Sequence, residues 1–109
     1  MSDRVNNLNI PISEVRPLVL EAFQRSPQTQ YRSICNAVAL IAVEKGIVPN
    51  PRGQSGVSGG DFELCSHNEN WVREIIWNLV IEKVVTIGNT NDPAWPCLSL
   101  TEYGLQVVN

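Results

Sequence analysis

Positive charge is scarce in this sequence. Its 8 lysines and arginines are outnumbered by 11 aspartates and glutamates, which gives a formal net charge of -3. Most nucleic-acid-binding modules carry a basic surplus, because neutralising phosphates supplies most of their non-specific affinity. The charge balance therefore counts against a nucleic-acid partner, although a local basic patch on an acidic protein would still allow one.

Long apolar runs are also missing. No stretch approaches the roughly 20 consecutive apolar residues that a bilayer-spanning helix requires. Residues 1–12 form a polar lead-in without the charged head and apolar run of a signal peptide. A chain of 109 residues that is 43% hydrophobic can fill one core. We therefore expect a single cytoplasmic domain, residues 1–109, with no membrane partner.

Cysteine and histidine are few. Cys35, Cys65 and Cys97 are odd in number and form no C-x-x-C pair, so we expect reduced, mostly buried thiols rather than disulfides. The single histidine, His67, follows Cys65 by two residues, but a lone thiol and imidazole specify a nucleophile only weakly. With Cys97 they would supply three metal ligands, in a spacing that matches no recurring zinc module. We expect no enzyme activity, no metal and no cofactor.

Two amphipathic helices are predicted in the first half of the chain. The first covers residues 14–25, with Ser13 as N-cap and Pro17 tolerated in its first turn. Its apolar residues recur at helical spacing: Val15, Leu18, Val19, Ala22 and Phe23. The second follows Thr29 as a possible cap and ends at Gly46. Its apolar stripe is Tyr31, Ile34, Cys35, Val38, Ala39 and Ala42.

Residues 46–60 have no apolar period and contain five glycines and two prolines, which predicts a flexible loop. Its glycines could be read as a phosphate-binding loop, but the segment follows a helix and lacks a Gly-Lys-Ser/Thr ending. Phe62 and Leu64 then alternate with acidic residues, as in a short strand.

A third helix is predicted at roughly residues 68–83, with capping candidates at 66–68. A spacing of 100° per residue gathers one apolar stripe for the core: Val72, Ile75, Ile76, Leu79 and Val80. The opposite face carries polar, acidic and large apolar side chains: Asn70, Glu74, Trp77, Asn78 and Ile81. This second face is neither uniformly polar nor basic, which raises the question of what it contacts.

A β hairpin at residues 84–101 is predicted to follow the third helix. Residues 84–87 are rich in β-branched side chains, residues 88–95 read as a loop, and residues 97–100 alternate as a returning strand. Thr101 can cap a last short helix that packs through Leu105 and Val108.

The predicted elements follow the order helix, helix, short strand, helix, hairpin, short helix. This order resembles the winged helix-turn-helix family. The segments L-V-I-E-K-V-V-T-I and L-S-L-T-E-Y-G look like the end of such a domain. The residues that carry the match are Leu79, Val84, Val85, Leu100, Thr101, Glu102 and Gly104. Lys83 departs from the pattern, since these domains usually end the third helix with glycine.

A weaker resemblance links the start of the chain to the N-terminal winged helix of Mrr-type restriction proteins. It is carried by the segment I-P-I-S-E-V-R-P-L-V-L-E-A-F. We expect a mainly α fold with a small antiparallel β hairpin, that is, a winged helix-turn-helix.

The resemblance implies that the third helix reads a DNA duplex, with asparagine bonding adenine and arginine bonding guanine in the major groove. The matching candidates on that helix are Asn68, Asn70, Arg73 and Asn78, with Arg32 and Arg52 as possible backbone contacts. In such a domain the hairpin at residues 84–101 would be the wing. Against the DNA interpretation, the wing loop (residues 88–96) contains Asp92 and no lysine or arginine, whereas a wing in a minor groove normally brings a cation.

A different hypothesis, a protein interface, rests on Trp77, Ile81 and Trp95. Aromatic anchors rimmed by polar residues are typical of protein interfaces. An equally ordinary alternative is that Trp77 packs beneath the hairpin or the N-terminal arm. The sequence thus predicts a small winged-helix regulatory protein, with DNA binding (a transcriptional regulator or a defence-related module) favoured. The alternative is an adaptor that binds a protein partner or forms a homodimer through the third helix and the wing, without direct DNA binding.

Overall fold

The fold is mainly helical, with a small antiparallel sheet, as the sequence predicts. A computed structural model describes residues 5–6, 8, 10–47, 63–90 and 92–108. Within these ranges there are four helices: α1 (Ile12–Arg25), α2 (Tyr31–Glu44), α3 (Ser66–Ile81) and α4 (Glu102–Val108). The strands are β1 (Val5–Asn6), β2 (Gln28–Gln30), β3 (Glu63–Leu64), β4 (Val85–Ile87) and β5 (Cys97–Leu100). No helix in the described ranges combines the length and apolarity needed to cross a bilayer.

The core lies among α1, α2 and α3, and the apolar stripes predicted for these helices line it. All five stripe residues of α1 are buried. On α3, Val72, Ile76 and Leu79 are fully buried, while Val80 is only partly so. Burial of these side chains is the main free-energy gain of the fold, at about 25 cal/mol per Å² of apolar surface. The side chains opposite the α3 stripe are consequently held at the surface.

Helix α1 begins earlier than predicted and contains Pro17 in its interior. Pro11 is the N-cap and Ile12 the first helical residue, so Ser13 is not the cap and Ile12 is not part of the lead-in. Proline removes the N–H that would bond the carbonyl four residues earlier, here that of Ser13. Because Ser13 is exposed, water can satisfy that carbonyl, and the helix continues through the proline.

The antiparallel sheet has three strands in the order β2-β5-β4, which corrects the prediction of a hairpin alone. Thr29 is not a helix cap; it lies in β2, opposite Leu98 of β5. In the hairpin, Val85 pairs with Leu100 and Ile87 with Leu98. The sheet therefore joins the α1–α2 connection to the wing.

A second, two-stranded parallel pair joins β1 to β3, with Val5 opposite Glu63 and Asn6 opposite Leu64. The strand predicted around Leu64 is thus present, and it pairs with part of the lead-in for which the sequence predicted no structure. Phe62, Arg52 and residues 48–60 of the predicted loop lie outside the described residues.

Helix α3 runs from Ser66 to Ile81, so its predicted bounds of 68–83 were two residues late. Lys83 has φ 68° and takes the left-handed conformation that glycine usually occupies at this position. The N–H of Lys83 bonds the carbonyl of Val80 at 3.0 Å, and that of Val84 bonds the carbonyl of Leu79 at 2.9 Å. These two bonds form a Schellman motif, so the helix ends sharply despite the lysine.

The predicted cap of the last helix is confirmed. The N–H of Gly104 donates to the Thr101 hydroxyl oxygen at 2.8 Å, and Leu105 and Val108 pack against the core. A Cβ on Gly104 would lie 2.0 Å from the carbonyl oxygen of Val84. Glycine therefore allows α4 to approach the backbone that leads from α3 into β4.

Candidate functional site

Large apolar side chains are exposed on the outer face of α3. Trp77 is 46% exposed and Ile81 is 77% exposed, and they lie one helical turn apart. Their position follows from the opposite stripe, because burying Ile76 and Leu79 turns the neighbouring residues outward. This is the face that the sequence identified as unexplained.

The wing contributes a second tryptophan to the same place. Trp95, 37% exposed, stacks on Trp77 with ring centroids 5.6 Å apart and planes 14° apart. Its ring also contacts Tyr31 at the start of α2, at 5.4 Å between centroids. Trp77 is thus beside the wing rather than beneath it. We call Trp77, Ile81, Trp95 and Tyr31 the α3–wing surface.

Sequence reasoning assigned Tyr31 only to the core stripe of α2 and missed its part in this surface. The side chain is half-buried, and its hydroxyl donates to the backbone carbonyl of Glu69 at 2.6 Å. Burial raises the pKa of Tyr31, with a further contribution from Cys35. The hydrogen bond to Glu69 fixes the start of α2 against α3. No sequence signal could have found it, because the place of Tyr31 beside the wing follows from the pairing of β2 with β5.

Hydrogen bonds within the wing loop hold Trp95 in place. The backbone N–H of Asn89 bonds the carbonyl of Asp92 at 2.7 Å, and a side-chain oxygen of Asp92 accepts from the N–H of Ala94 at 2.9 Å. The N–H of Cys97 then bonds the carbonyl of Ala94 at 3.0 Å. The described part of the loop is therefore a folded turn, and Trp95 is presented by a defined backbone.

A side-chain contact also ties the wing to β2. The side-chain oxygen of Gln28 accepts a hydrogen bond from the Thr90 hydroxyl at 2.6 Å. Together with the rings of Trp77 and Tyr31, this contact holds the wing against the body of the protein. A wing fastened in this way is part of the α3–wing surface instead of a free arm.

The structure removes Asn68 from the predicted DNA-contacting residues. Its side chain is fully buried, and its oxygen accepts hydrogen bonds from the N–H of Leu8 at 2.8 Å and from the thiol of Cys65 at 3.0 Å. The helical period contained the signal, because Asn68 lies four residues before Val72 on the core stripe. Nor do residues 66–68 cap α3: Cys65 is the N-cap, and no side-chain cap hydrogen bond is made.

Arg32 is exposed, but its guanidinium is already paired. It donates to the carboxylate of Glu69 on α3, and this hydrogen bond raises the pKa of Arg32. The ion pair links α2 to α3 beside Tyr31. A DNA phosphate would have to compete with Glu69 for this cation, which weakens Arg32 as a predicted backbone contact.

Three of the predicted DNA-contacting residues remain at the surface of α3: Asn70, Arg73 and Asn78. Of the six lysines and arginines in the described ranges, four are in ion pairs, namely Arg16, Arg25, Arg32 and Lys45. Arg73 is the one cation within α3. Asn78 borders a shallow groove between α1 and α3, whose other lining residues are Ile12, Ser13, Arg16, Glu74 and Ile75.

The cysteines and the histidine have separate surroundings. Cys65 donates to Asn68, whereas the ring of His67 lies against Trp71 at 4.7 Å between centroids. All three cysteines are free thiols, and burial raises the pKa of Cys35 to about 11. Among the described residues, no three histidine, cysteine or carboxylate side chains come together as metal ligands would.

Comparison with protein-family models, curated proteins and solved structures finds no match to this chain.

Proposed function

We propose that this chain is a winged-helix module that works as an adaptor and binds a protein partner through the α3–wing surface. The element order supports the winged-helix assignment. Three core helices are followed by a hairpin, and β2 between α1 and α2 adds the third strand of the sheet. The short α4, capped by Thr101, closes the arrangement.

The observation that carries the proposal is the stack of Trp77 on Trp95. Two consecutive parts of the chain, α3 and the wing loop, each place an indole ring at the same point of the surface, and each ring remains more than a third exposed. Tryptophan is among the residues most enriched in energetic hot spots of protein interfaces, where it contributes a large contact area at low entropic cost. Ile81 extends the apolar area along α3, with Glu74 and Asn78 beside it.

Electrostatics favour a protein partner over a duplex. Neutralising phosphate charge requires available cations, and four of the six cations in the described ranges are engaged by carboxylates of the chain. The wing loop contains Asp92 and no lysine or arginine. On α3 itself, Arg73 is the one cation, and Glu74 follows it directly in the sequence.

DNA binding remains the second candidate, because Asn70, Arg73 and Asn78 are exposed on α3. Asparagine and arginine are the side chains that make bidentate contacts with adenine and guanine. With so few cations, the slope of log affinity against log salt would be shallow, at about -0.9 per neutralised phosphate.

Site-specific photo-crosslinking tests the adaptor proposal. A photoreactive amino acid in place of Asn78, beside the apolar residues, is compared in cells with one in place of Gln24, exposed on α1. We expect a discrete protein adduct from position 78 and none from position 24, with Trp77→Ala abolishing the adduct. If position 78 gives no protein adduct beyond the position 24 background, the adaptor proposal is wrong.

Fluorescence anisotropy with a labelled duplex library at low salt tests the second candidate. The adaptor proposal predicts no saturable binding. Saturable binding that Arg73→Ala weakens more than Arg25→Ala would instead support DNA recognition, because Arg25 is held by Glu21 and Glu44.

A further inference from the structure

A shallow groove lies between α1 and α3, and we call it the α1–α3 groove. Its lining residues are Ile12, Ser13, Arg16, Glu74, Ile75 and Asn78, and its volume is about 200 Å³. Pockets that bind drug-sized molecules usually measure about 300 to 1,000 Å³. The groove is therefore of a size for one long side chain rather than for a cofactor.

Helical spacing places this groove beside the α3–wing surface. Glu74 and Asn78, which line the groove, are followed three residues later by the exposed Ile81. Side chains three or four residues apart are neighbours on the surface of a helix. Trp77 lies four residues before Ile81, on the same outer face. A partner that covers Trp77 and Ile81 is thus within reach of the groove.

Two of the side chains that line the groove are charged, and their states differ. Arg16 donates hydrogen bonds of 2.9 and 2.7 Å to the carboxylate of Glu82, which balances its charge. Glu74 is exposed and forms no ion pair within the described part of the chain. One arginine against the carboxylates of Glu74 and Glu82 leaves a net charge of -1 at the groove. The groove therefore lacks a cation.

We propose that the partner of the α3–wing surface is a basic segment of another protein, which inserts one lysine or arginine side chain into the α1–α3 groove. This inference rests on the proposed function, since it states the chemistry of the partner of that same surface. The apolar stem of the basic side chain packs on Ile12 and Ile75, as such stems commonly do. Its charged end pairs with the Glu74 carboxylate.

An apolar residue of the same segment packs on Trp77 and Ile81. Glu74 precedes Ile81 by seven residues, or roughly 10 Å at 1.5 Å per residue. The basic residue and the apolar anchor of the partner must span a similar distance, which is about three residues of an extended chain. An acidic segment would instead meet the Glu74 carboxylate, and like charges across an interface select against such a partner.

Selection from a displayed library of random peptides on the full chain tests the proposal, with the melting temperature measured for every variant. Wild type is expected to enrich peptides with a lysine or arginine at a constant spacing from an apolar residue. Glu74→Lys should enrich an acidic residue at that position instead. Glu102→Lys is the matched control, because it reverses the charge of an exposed carboxylate on α4, and it should give the wild-type result.

Fluorescence anisotropy with one selected, labelled peptide measures the contribution of the ion pair. Glu74→Gln is expected to raise the peptide Kd about 5-fold, the upper end for a pair that stays in contact with solvent. Norleucine in place of the basic residue of the peptide should have the same effect, and the two changes together should have no larger one. Ile81→Ser, at a side chain that is 77% exposed, should weaken binding independently.

Several outcomes would overturn the proposal: a selection that enriches no peptide dependent on Trp77, one that Glu74→Lys leaves unchanged, or losses that add in the Glu74 cycle. A lower melting temperature for Glu74→Gln without peptide would also overturn it, because the carboxylate would then already serve a cation of the same chain. Peptides that depend on Trp77 but carry no basic residue would overturn the basic segment while leaving the adaptor function standing.

Discussion

The backbone N–H of Leu8 donates a hydrogen bond to the side-chain oxygen of Asn68, 2.8 Å away and 60 residues later in the chain. Both residues are buried, at 2% and 0% exposure. An asparagine on the core stripe of α3 thus satisfies a lead-in amide that would otherwise be buried without a partner. This contact gives Asn68 a structural role in place of the DNA-contacting role that its residue type suggested.

Asn68→Ala is expected to lower the free energy of unfolding by about 1 kcal/mol, the low end of the cost of a buried unsatisfied donor. The substitution leaves the Leu8 N–H without its acceptor, but it also removes the Asn68 amide nitrogen, which is buried without a hydrogen-bond partner among the described residues. Asn70→Ala, on the exposed side of the same turn, should change it by less than about 0.5 kcal/mol. Urea denaturation of both variants checks this, and equal midpoints would show that the Leu8 amide finds water instead.

Gly104→Ala should destabilise the protein by about 1 to 3 kcal/mol or more, because the added Cβ would lie 2.0 Å from the Val84 carbonyl oxygen and α4 would have to shift. Gln106→Ala is the matched control on the same helix, at an exposed position. Thermal melts of the two variants give the comparison. The proposed backbone contact is wrong if both melt together with wild type.

Lys83→Gly is expected to stabilise the fold by about 1 kcal/mol, since a left-handed conformation costs a side-chain-bearing residue about 1 to 2 kcal/mol and glycine almost nothing. Glu82→Gly, one residue earlier in right-handed helical conformation, should destabilise it. Guanidinium unfolding of the pair reports the sign directly. A destabilising Lys83→Gly would contradict the positive φ at that position.

Leu79→Ala should cost about 2 to 5 kcal/mol of stability, the usual range for deleting a buried leucine. Ile81→Ala, two residues away on the same helix, should cost little because its side chain is 77% exposed. Calorimetry on monomeric samples separates the two. Similar losses would mean that the buried and exposed faces of α3 had been exchanged.

The ion pair between Arg16 and Glu82 should make a small, pH-dependent contribution to stability. Arg16 donates hydrogen bonds of 2.9 and 2.7 Å to the carboxylate and holds the pKa of Glu82 below its ordinary value of 4.5. Because the folded pKa is the lower one, the stabilisation is present above the unfolded pKa and is lost as the pH falls through the folded pKa.

Both side chains are at least a third exposed, so solvent screening limits the effect of Glu82→Gln to about 0.5 kcal/mol at neutral pH. Chemical denaturation of wild type and Glu82→Gln at pH about 7 and about 2 checks the sign, and the difference should vanish in acid. If the difference in stability between wild type and Glu82→Gln grows on acidification, the pKa of Glu82 is not lowered in the folded protein.

The three core helices and the wing strands could be predicted because each carries a local, repeating signal. Val72, Ile76 and Leu79 repeat with the helical period, and Cys97–Leu100 pairs as expected with residues 85–87. The exposed face bearing Trp77 and Ile81 follows from the same period, since it is the complement of the buried stripe.

The remaining elements depend on partners far away in the chain. Strands β1 and β2 are two and three residues long, too short for any period to appear. Their pairing is fixed by tertiary contacts, as is the stacking of Trp95 on Trp77, which places the wing residue in the candidate site. At Pro17 a local signal is overridden: the residue would be expected to break a helix, but burial of the apolar stripe of α1 keeps the helix continuous through it.

The pairing of β2 with β5 has a consequence for how the chain acquires its structure during synthesis. Gln28 of β2 lies opposite Ser99 of β5, the central strand. Because β2 is synthesised first, it has no pairing partner until the ribosome has also synthesised β5. Helices α1 to α3 can condense earlier from neighbouring segments, whereas the sheet must close a long loop, which is the slow kind of contact to form. During that time β2 is an unpaired strand that another nascent chain could bind. Its polar Gln-Thr-Gln sequence limits such aggregation, because it presents no large apolar side chains.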